Sequence, residues 1–406
     1  MNKLPKAKVA IVKVEDGKVE QAVREAINLL GGITQFTKDA EEVLLKPNLL
    51  SAPKDKSTRD KIRSDPRILE ALSNILLENN QRVLIADNSG VGHPGGTRVA
   101  LKNSGYLKLA EKDDRIAVRP LGKNGLVVSE INGNNLKTAN IAKDVIDAEI
   151  IINVPKMKTH GLTLYTGAIK NLFGTVCGSD KSRIHSAFPT ISSFSQSLVD
   201  IYAFEKEKIT LNVMDAIIAV EGMGPGASGT PVEMNLILAS ADAVALDAVA
   251  FHLMGHDPKK VPATRLAAEQ GLGVIDINKI EILGEKIKDH ARKFHLPKTA
   301  ILARIPFSRF AHFFMIHIPI YQTGCIGCKA CERACPQSVI TIKKTEEGSP
   351  HPEIDYGGCI SCFTCVEVCP EACYTTRSKN LWKVWLTLAI VGALGALAII
   401  LAVLLA

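Results

Sequence analysis

Two cysteine runs with the same spacing constrain this 406-residue chain more than any other feature. Each run reads C-x2-C-x2-C-x3-C-P: the first is CIGCKACERACP and the second is CISCFTCVEVCP. The N-terminus has only a short apolar run broken by Lys13, and no signal cleavage site follows it. We therefore expect the bulk of the chain in the reducing cytosol. Ten cysteines in that compartment indicate metal ligation rather than disulfide bonds.

The paired runs resemble the bacterial-type ferredoxin domain with two 4Fe-4S clusters, over roughly residues 321–375. In such domains the fourth cysteine of each run ligates the other cluster. The resemblance therefore implies one cluster on Cys325, Cys328, Cys331 and Cys369, and a second on Cys335, Cys359, Cys362 and Cys365. Zinc is the rival metal, but zinc ribbons do not need two interlocked ligand sets followed by prolines.

Two cysteines, Cys177 and Cys373, fall outside the ligand spacing. A small buried apolar side chain is the expected role for both. For Cys177 a reactive thiol is the alternative, because nearby lysines and His185 could lower its pKa.

Short β-branched apolar runs alternate with helical patterns up to about residue 285; examples are KVAIVKV, EEVLLKPN and AEIIINV. This alternation predicts an α/β domain, with a mostly parallel sheet and helices on both faces. We divide the chain into an α/β domain (1–285), a basic and apolar connector (286–320), a small α+β ferredoxin-like domain (321–375) and a C-terminal anchor (384–406). The connector is expected to lie on the membrane surface or to pack as a helix between domains.

Polar residues follow four of the predicted strands, where open α/β sheets bind their ligands. The segment NVPKMKTHGLTLYTGAIKNLFG (153–174), interpreted as a loop and a helix start, carries the densest group. Its lysines, with Thr159, Thr163 and Thr166 as donors, suit a carboxylate or phosphate anion. The candidate catalytic residues of this domain are Lys46, Asp87, Lys156, Lys158, His160, Lys170, Asp215 and Glu221.

Each of these residues has a plainer interpretation. Surface lysines are usually solvated, and His160 could cap a helix. The acids Asp87, Asp215 and Glu221 could orient lysines, act as general bases or hold a divalent metal. Asp242 and Asp247 lie in a helical pattern, where a helix start and an exposed face explain them.

The strings LKPNLL, IADNSG, NVPKMKTHGLTLYTGAIKNLFGTVCG and MDAIIAVEGMGPGASGTP resemble the domain-of-unknown-function family 362 over roughly residues 7–285. Members of this family often carry a ferredoxin module after the domain, as this chain does. The resemblance implies a fold and the position of a site. It does not imply a reaction.

The last residues, from Trp385 to Ala406, form an uncharged run of 22 residues. At about 1.5 Å per residue this run reaches about 33 Å, enough to span a bilayer core. Arg377, Lys379 and Lys383 precede it, so the positive-inside rule predicts a single-pass protein of the cell membrane with its soluble domains on the cytoplasmic side. A buried core helix is the alternative.

A net charge of +7 over this length is a weak bias, and no recognition motif supports nucleic-acid binding.

No flavin, haem or nicotinamide motif accompanies the cysteines. We interpret the chain as a membrane-anchored iron–sulfur oxidoreductase that passes electrons through two 4Fe-4S clusters to or from an anionic substrate. Its redox partner is expected to be another protein or the quinone pool. The alternatives are an electron-carrier subunit without its own substrate, and a non-redox enzyme with clusters as sensor or scaffold.

Deleting residues 384–406 should release the protein from membranes with its iron–sulfur clusters intact. The reason is that an apolar terminal helix supplies membrane affinity and not the fold of the domains before it. Fractionation of cells expressing the full and shortened chains, with iron analysis of both, measures this. Retention of the shortened chain in the membrane fraction would contradict the assignment of the anchor.

Overall fold

The computed structural model describes residues 7–51, 53, 55–89, 96–177, 180–297, 317–360, 364–369, 371 and 373–378. No helix within these residues is long and apolar enough to cross a membrane. The predicted anchor, 384–406, lies outside the described residues, as does most of the connector.

Strands and helices alternate through the first two thirds of the chain. The strands are β1 (Ala7–Lys13), β2 (Glu42–Pro47), β3 (Arg82–Asp87), β4 (Ile116–Pro120), β5 (Leu126–Glu130), β6 (Thr138–Ala142), β7 (Ile150–Val154), β8 (Lys156–His160), β9 (Leu164–Thr166), β10 (Ile209–Gly222), β11 (Gly229–Ser240) and β12 (Ile280–Gly284). The helices are α1 (Val19–Leu29), α2 (Thr34–Thr37), α3 (Lys56–Ile62), α4 (Pro66–Glu78), α5 (Gly96–Asn103), α6 (Lys143–Asp147), α7 (Ala168–Asn171), α8 (Asp180–Ala187), α9 (Ile191–Glu205), α10 (Ala243–Leu253), α11 (Pro262–Glu269) and α12 (Ile287–His290).

Most of these strands join one large sheet in the order β12-β1-β11-β10-β7-β2-β3-β4, with β8 and β9 attached beside β10. Neighbouring strands in the sheet are parallel except where β11 pairs with β1 and β10 and where β9 pairs with β8. The prediction of a mostly parallel α/β sheet is therefore confirmed. The chain runs from β2 outward to β4 and then returns to β7 on the other side of β2, so strand order reverses between β2 and β7.

Alternate side chains of the central strands enter two different apolar cores, one on each face of the sheet. Leu44 of β2 packs in one core, and its neighbours Val43 and Leu45 pack in the other. A strand covered on both faces is nearly continuous in apolar residues, which explains runs such as EVLLKP. Helix α1 buries Val19, Ala22, Val23, Ala26 and Ile27, the spacing of one helical face.

The segment 153–174 differs from its interpretation as a loop and a helix start. Lys156–His160 and Leu164–Thr166 are strands that form a small antiparallel hairpin, and β8 also pairs with β10. The helix start at Ala168 is present. The hairpin was not predicted because its residues are polar, whereas buried strands usually consist of apolar ones.

The cysteine-rich part forms a small separate module. Its strands are β13 (His317–Tyr321), β14 (Ile340–Lys344), β15 (Pro350–Ile354) and β16 (Tyr374–Ser378), and its helices are α13 (Ala330–Ala334) and α14 (Thr364–Val368). Two antiparallel pairs, β13 with β16 and β14 with β15, hold it together. The first of these pairs joins the two ends of the module.

A buried ion pair fixes β8 against β10. Lys156 Nζ donates to Asp215 Oδ2 at 2.7 Å, and both side chains are at most 1% exposed. The Asp215 carboxylate also accepts backbone N–H groups from Asp65 at 2.7 Å and Ile217 at 3.0 Å. The pair therefore ties the hairpin, the long strand β10 and the start of α4 together.

Removing one member of this pair should destabilise the fold strongly. Lys156→Met leaves the Asp215 charge buried without its cation, which typically costs about 3–5 kcal/mol. The double variant Lys156→Met, Asp215→Asn should recover part of that loss, since no uncompensated charge remains. Urea unfolding measures the three stabilities, with the exposed Lys38→Met as control. An equal loss in single and double variants would contradict this account.

Candidate functional site

A cleft opens at the carboxyl ends of β2 and β3, beside the point where the strand order reverses. This is the location at which open α/β sheets bind ligands. Four lysines and one carboxylate are the charged groups among its described lining residues: Lys46, Lys158, Lys170, Lys181 and Asp87. The structure thus brings together four of the eight candidate residues and adds Lys181.

Lys46 and Asp87 form a buried ion pair across neighbouring strands. Lys46 Nζ lies 2.7 Å from Asp87 Oδ1 and also donates to the carbonyl of Pro47 at 2.9 Å. Asp87 Oδ2 accepts the backbone N–H of Leu49 at 2.8 Å. A Cβ at Gly174 would lie 2.5 Å from Asp87 Oδ1 and 2.6 Å from Lys46 Nζ. The glycine of KNLFG therefore allows the backbone to pass close to this pair.

Lys158 is held by a row of asparagines that crosses the sheet. Its Nζ donates to Asn48 Oδ1 at 2.6 Å and to the carbonyl of Ile62 at 2.8 Å. Asn48 Nδ2 then donates to Asn171 Oδ1 at 3.1 Å. The row continues through the amides of Asn171, Asn153 and Asn212, which are all buried. Because these buried amide groups cannot bond to bulk water, they form hydrogen bonds with one another. The row thereby fixes the position of Asn48, which accepts the hydrogen bond from Lys158.

Lys181, on α8, was not among the sequence candidates. Its ammonium is buried in the cleft and donates to the carbonyl of Asn88 at 3.0 Å. Burial lowers its pKa to about 8, and the neighbouring Asp87 charge opposes that shift. The only sequence signal was its place just after GTVCGSD, in a helix whose packing the sequence does not reveal.

Thr166, at the end of β9, lines the same cleft. The residue is 3% exposed, and Oγ1 has no hydrogen-bond partner in the described part of the chain. A buried hydroxyl without a partner costs free energy that a bound acceptor would return. Thr166 is therefore a candidate hydrogen-bond donor to a ligand oxygen in the lysine-lined cleft.

Four predicted site residues lie outside the cleft. Lys156 and Asp215 bind each other in the buried pair described above. His160 Nδ1 accepts the backbone N–H groups of Leu162 and Thr163, so this ring nitrogen orders the hairpin turn. Glu221 accepts from the backbone N–H and Nδ1 of His295. A catalytic role for these four stays a prediction, and the contacts described here are structural.

The structure corrects the expected exposure of Asp247 and confirms the helix start at Asp242. Asp242 caps α10 by accepting the N–H groups of Val244 and Ala245. Asp247 is not on an exposed face: it is 2% exposed, and it accepts the N–H groups of Ala168 at 2.6 Å and Ile169 at 3.1 Å. Burial raises its pKa to about 7. Asp247 thereby anchors the start of α7, the helix that carries Lys170.

Cys177 and Cys373 are both buried. Burial raises the pKa of each thiol above its ordinary value. For Cys177 this favours the unreactive interpretation, because the thiolate is the nucleophilic form.

The module cysteines surround two separate cavities. Cys325, Cys328 and Cys331 of the first run line one cavity together with Cys369 of the second run. Cys365 and Cys359 of the second run line the other cavity together with Cys335 of the first run. Cys362 lies outside the described residues. The exchange of the fourth cysteine between runs is the arrangement that ferredoxin-type clusters require, so these donor sets fit iron–sulfur clusters.

The module packs directly against the cleft. Ala334 and Thr364 form part of the cleft wall, together with the lysines of the α/β domain. Gln337 Nε2 donates to Ser186 Oγ at 2.9 Å, and Ser228 Oγ donates to the carbonyl of Tyr374 at 3.4 Å. The cleft therefore lies between the sheet and the cysteine module.

Two known protein families match different parts of the chain. The family described as "Domain of unknown function (DUF362)" matches residues 43–252. The chain belongs to the DUF362 family. A 4Fe-4S dicluster domain matches residues 324–373 of this DUF362 protein, which confirms the ferredoxin-type assignment of its cysteine module.

Among characterised sequences, the thylakoid-associated protein sll1697 of Synechocystis sp. is 32% identical over 261 residues, covering 64% of this DUF362 chain and 77% of that protein. A crystal structure of a Thermotoga maritima protein matches with 13% identity and a TM-score of 0.37, covering 63% of this chain and 59% of the other. The lactate racemase apoprotein of Thermoanaerobacterium thermosaccharolyticum matches with 12% identity and a TM-score of 0.37, covering 59% and 56%. This chain thus spans less than two thirds of either solved chain.

Replacing one cysteine in each cavity should remove iron from one cluster at a time. Cys328→Ser is expected to halve the iron and sulfide content, and Cys365→Ser should halve it through the other cavity, because each belongs to a separate donor set. Two cubanes require about eight iron and eight sulfide per chain. Anaerobic purification with iron, sulfide and zinc analysis measures this. Zinc in place of iron, or loss of all iron in both variants, would contradict it.

Proposed function

We propose that this DUF362 protein is an iron–sulfur oxidoreductase that exchanges electrons with an anionic substrate bound in the cleft. One observation carries the proposal: the buried, cationic cleft at the sheet edge is walled by the cysteine module itself. A substrate in this cleft would lie between the cations that bind it and the domain that carries electrons.

The charge of the cleft supports an anion. Its described lining contains four lysines against one carboxylate, and that carboxylate is already bound by Lys46. Lysine ammonium groups recognise carboxylates and phosphates through charge-assisted hydrogen bonds. The Thr166 hydroxyl adds a neutral donor on a residue that lines the cleft, and it has no hydrogen-bond partner in the described part of the chain. A small carboxylate or phosphate ester is therefore the proposed substrate class.

The chain's own residues have distinct roles in this proposal. Lys158 and Lys170 bind the anion, and Asp87 keeps Lys46 in place beside it. Lys181 holds a proton at Nζ at neutral pH and is the group best suited to release it, since its pKa is lowered to about 8. Cys325, Cys328, Cys331 and Cys369 would hold one cluster, and Cys335, Cys359, Cys362 and Cys365 a second. When bound, such clusters supply single electrons over a wide range of potentials.

We also propose that the protein works at the cytoplasmic face of the cell membrane, held by residues 384–406, and exchanges electrons with a partner protein or the quinone pool. Two observations support membrane association: the uncharged terminal run and the thylakoid association of the related Synechocystis protein. The deletion experiment described above tests it.

Thr166→Val should weaken substrate use without destabilising the protein. Valine has the shape of threonine and removes only a hydroxyl that lacks a partner, so stability should hold or rise. A bound anion would lose a charge-assisted hydrogen bond of about 1.5–3 kcal/mol, or roughly tenfold to over a hundredfold in affinity. The measurement is reoxidation of dithionite-reduced protein by small carboxylates and phosphate esters, followed by iron–sulfur absorbance.

The matched control is Thr264→Val. Thr264 is also buried, and its hydroxyl also lacks a partner in the described part of the chain, but it lies on α11 and does not line the cleft. Its removal should leave reoxidation unchanged. Equal effects of the two variants would contradict a substrate in the cleft. Absence of reoxidation by every compound would favour an electron carrier without its own substrate.

A further inference from the structure

The two cysteine cavities differ in how directly their lining residues are connected to the residues that line the cleft. The two module residues that line the cleft, Ala334 and Thr364, are bonded directly to Cys335 and Cys365. Both of these cysteines line the second cavity. Two residues that line the second cavity are thus the immediate chain neighbours of the module residues that line the cleft.

A third contact joins the same cavity to the cleft. Gln337 lines the second cavity, and its amide donates to Ser186 Oγ at 2.9 Å. Ser186 follows His185, which lines the cleft from the α/β side. The second cavity and the cleft therefore share a hydrogen-bonded border as well as two covalent links.

The first cavity borders the solvent. Its lining includes Ile326, which is 59% exposed, and Lys329, whose side chain is 56% exposed. These two side chains place part of the wall of the cavity, which Cys373 lines together with the four cysteines of the donor set, at the protein surface. The thiols of this set therefore lie near a surface that another molecule can reach.

We infer that Cys335, Cys359 and Cys365 form the set that faces the substrate, whereas Cys325, Cys328, Cys331 and Cys369 form the set that exchanges electrons with the external partner. The inference deepens the proposed function and rests on it for the meaning of the cleft. It assigns an order of electron transfer through the two donor sets. When the substrate is reduced, electrons pass from the partner to the first set and then to the cleft-side set. When the substrate is oxidised, they pass in the reverse direction. Ala334, Thr364 and Gln337 set this order by their contacts.

The test compares two charge-removing variants of the full chain carrying its clusters. Lys181→Gln removes a positive charge from the cleft, and Lys329→Asn removes one beside the first cavity. Asparagine suits the positive φ of 57° at position 329. Loss of a nearby cation disfavours the more negative reduced cluster, so its midpoint potential falls. Redox titration followed by electron paramagnetic resonance gives both potentials of each variant.

The expected result is that each variant lowers the potential of a different cluster and leaves the other unchanged. The assignment of signals comes from Cys328→Ser, which should remove the signal that Lys329→Asn shifts. If Lys181→Gln does not fold, Lys170→Gln makes the same test from the half-buried side of the cleft. The order of the sets is wrong if the cleft variant shifts the same cluster as Lys329→Asn, shifts both equally, or shifts neither.

These potentials are measured without any substrate, so the two proposals can fail separately. Split potentials with no reoxidation by any anion would overturn the substrate and keep the order of the donor sets. Reoxidation that depends on Thr166, together with potentials that shift the wrong way, would overturn the order and keep the substrate.

Discussion

The burial of lysine ammonium groups at the carboxyl edge of the sheet is the constraint on which the rest of the site depends. Lys46, Lys156 and Lys158 are each at most 1% exposed. A buried cation loses its hydration and is tolerated only with a carboxylate or a full set of polar partners. Asp87 and Asp215 supply the carboxylates for the first two. For Lys158, Asn48 Oδ1 and the carbonyl of Ile62 are among the acceptors of the ammonium group.

This requirement also explains backbone features that look unrelated to charge. Gly174 is needed because any side chain there would collide with the Lys46–Asp87 pair. Asp247 sits beneath α7 because two N–H groups at the buried start of that helix need an acceptor. The polar hairpin β8–β9 is possible because its lysines point to partners on β10 and beyond β2. Each of these features holds the cations in place, and none is required by a parallel sheet alone.

The position of the cysteine module gives the cleft its second wall. Thr364 and Ala334 of the module line the same cleft as Lys158 and Lys181. Electron transfer requires donor and acceptor to be close, whereas anion binding requires cations and little water. The cleft meets both requirements in one place, which is the physical basis for the proposed oxidoreductase.

Local pattern in the sequence determined the sheet class and the helix start at Asp242, because each depends on spacing within a short segment. The exchange of cysteines between runs was implied by the resemblance of the two runs to ferredoxin domains. The position of Lys46, Asp87, Lys158 and Lys170 at one edge also followed, since carboxyl ends of parallel strands converge. Tertiary structure alone decided which lysine has an acidic partner. Lys156 is paired with Asp215 and lies outside the cleft. Lys181, from a later helix, lines the cleft, as do residues of the cysteine module. These outcomes depend on contacts between residues far apart in the chain. The sequence gives the type of a charged residue, but it does not show whether the partner of its side chain is a carboxylate, an amide or a ligand.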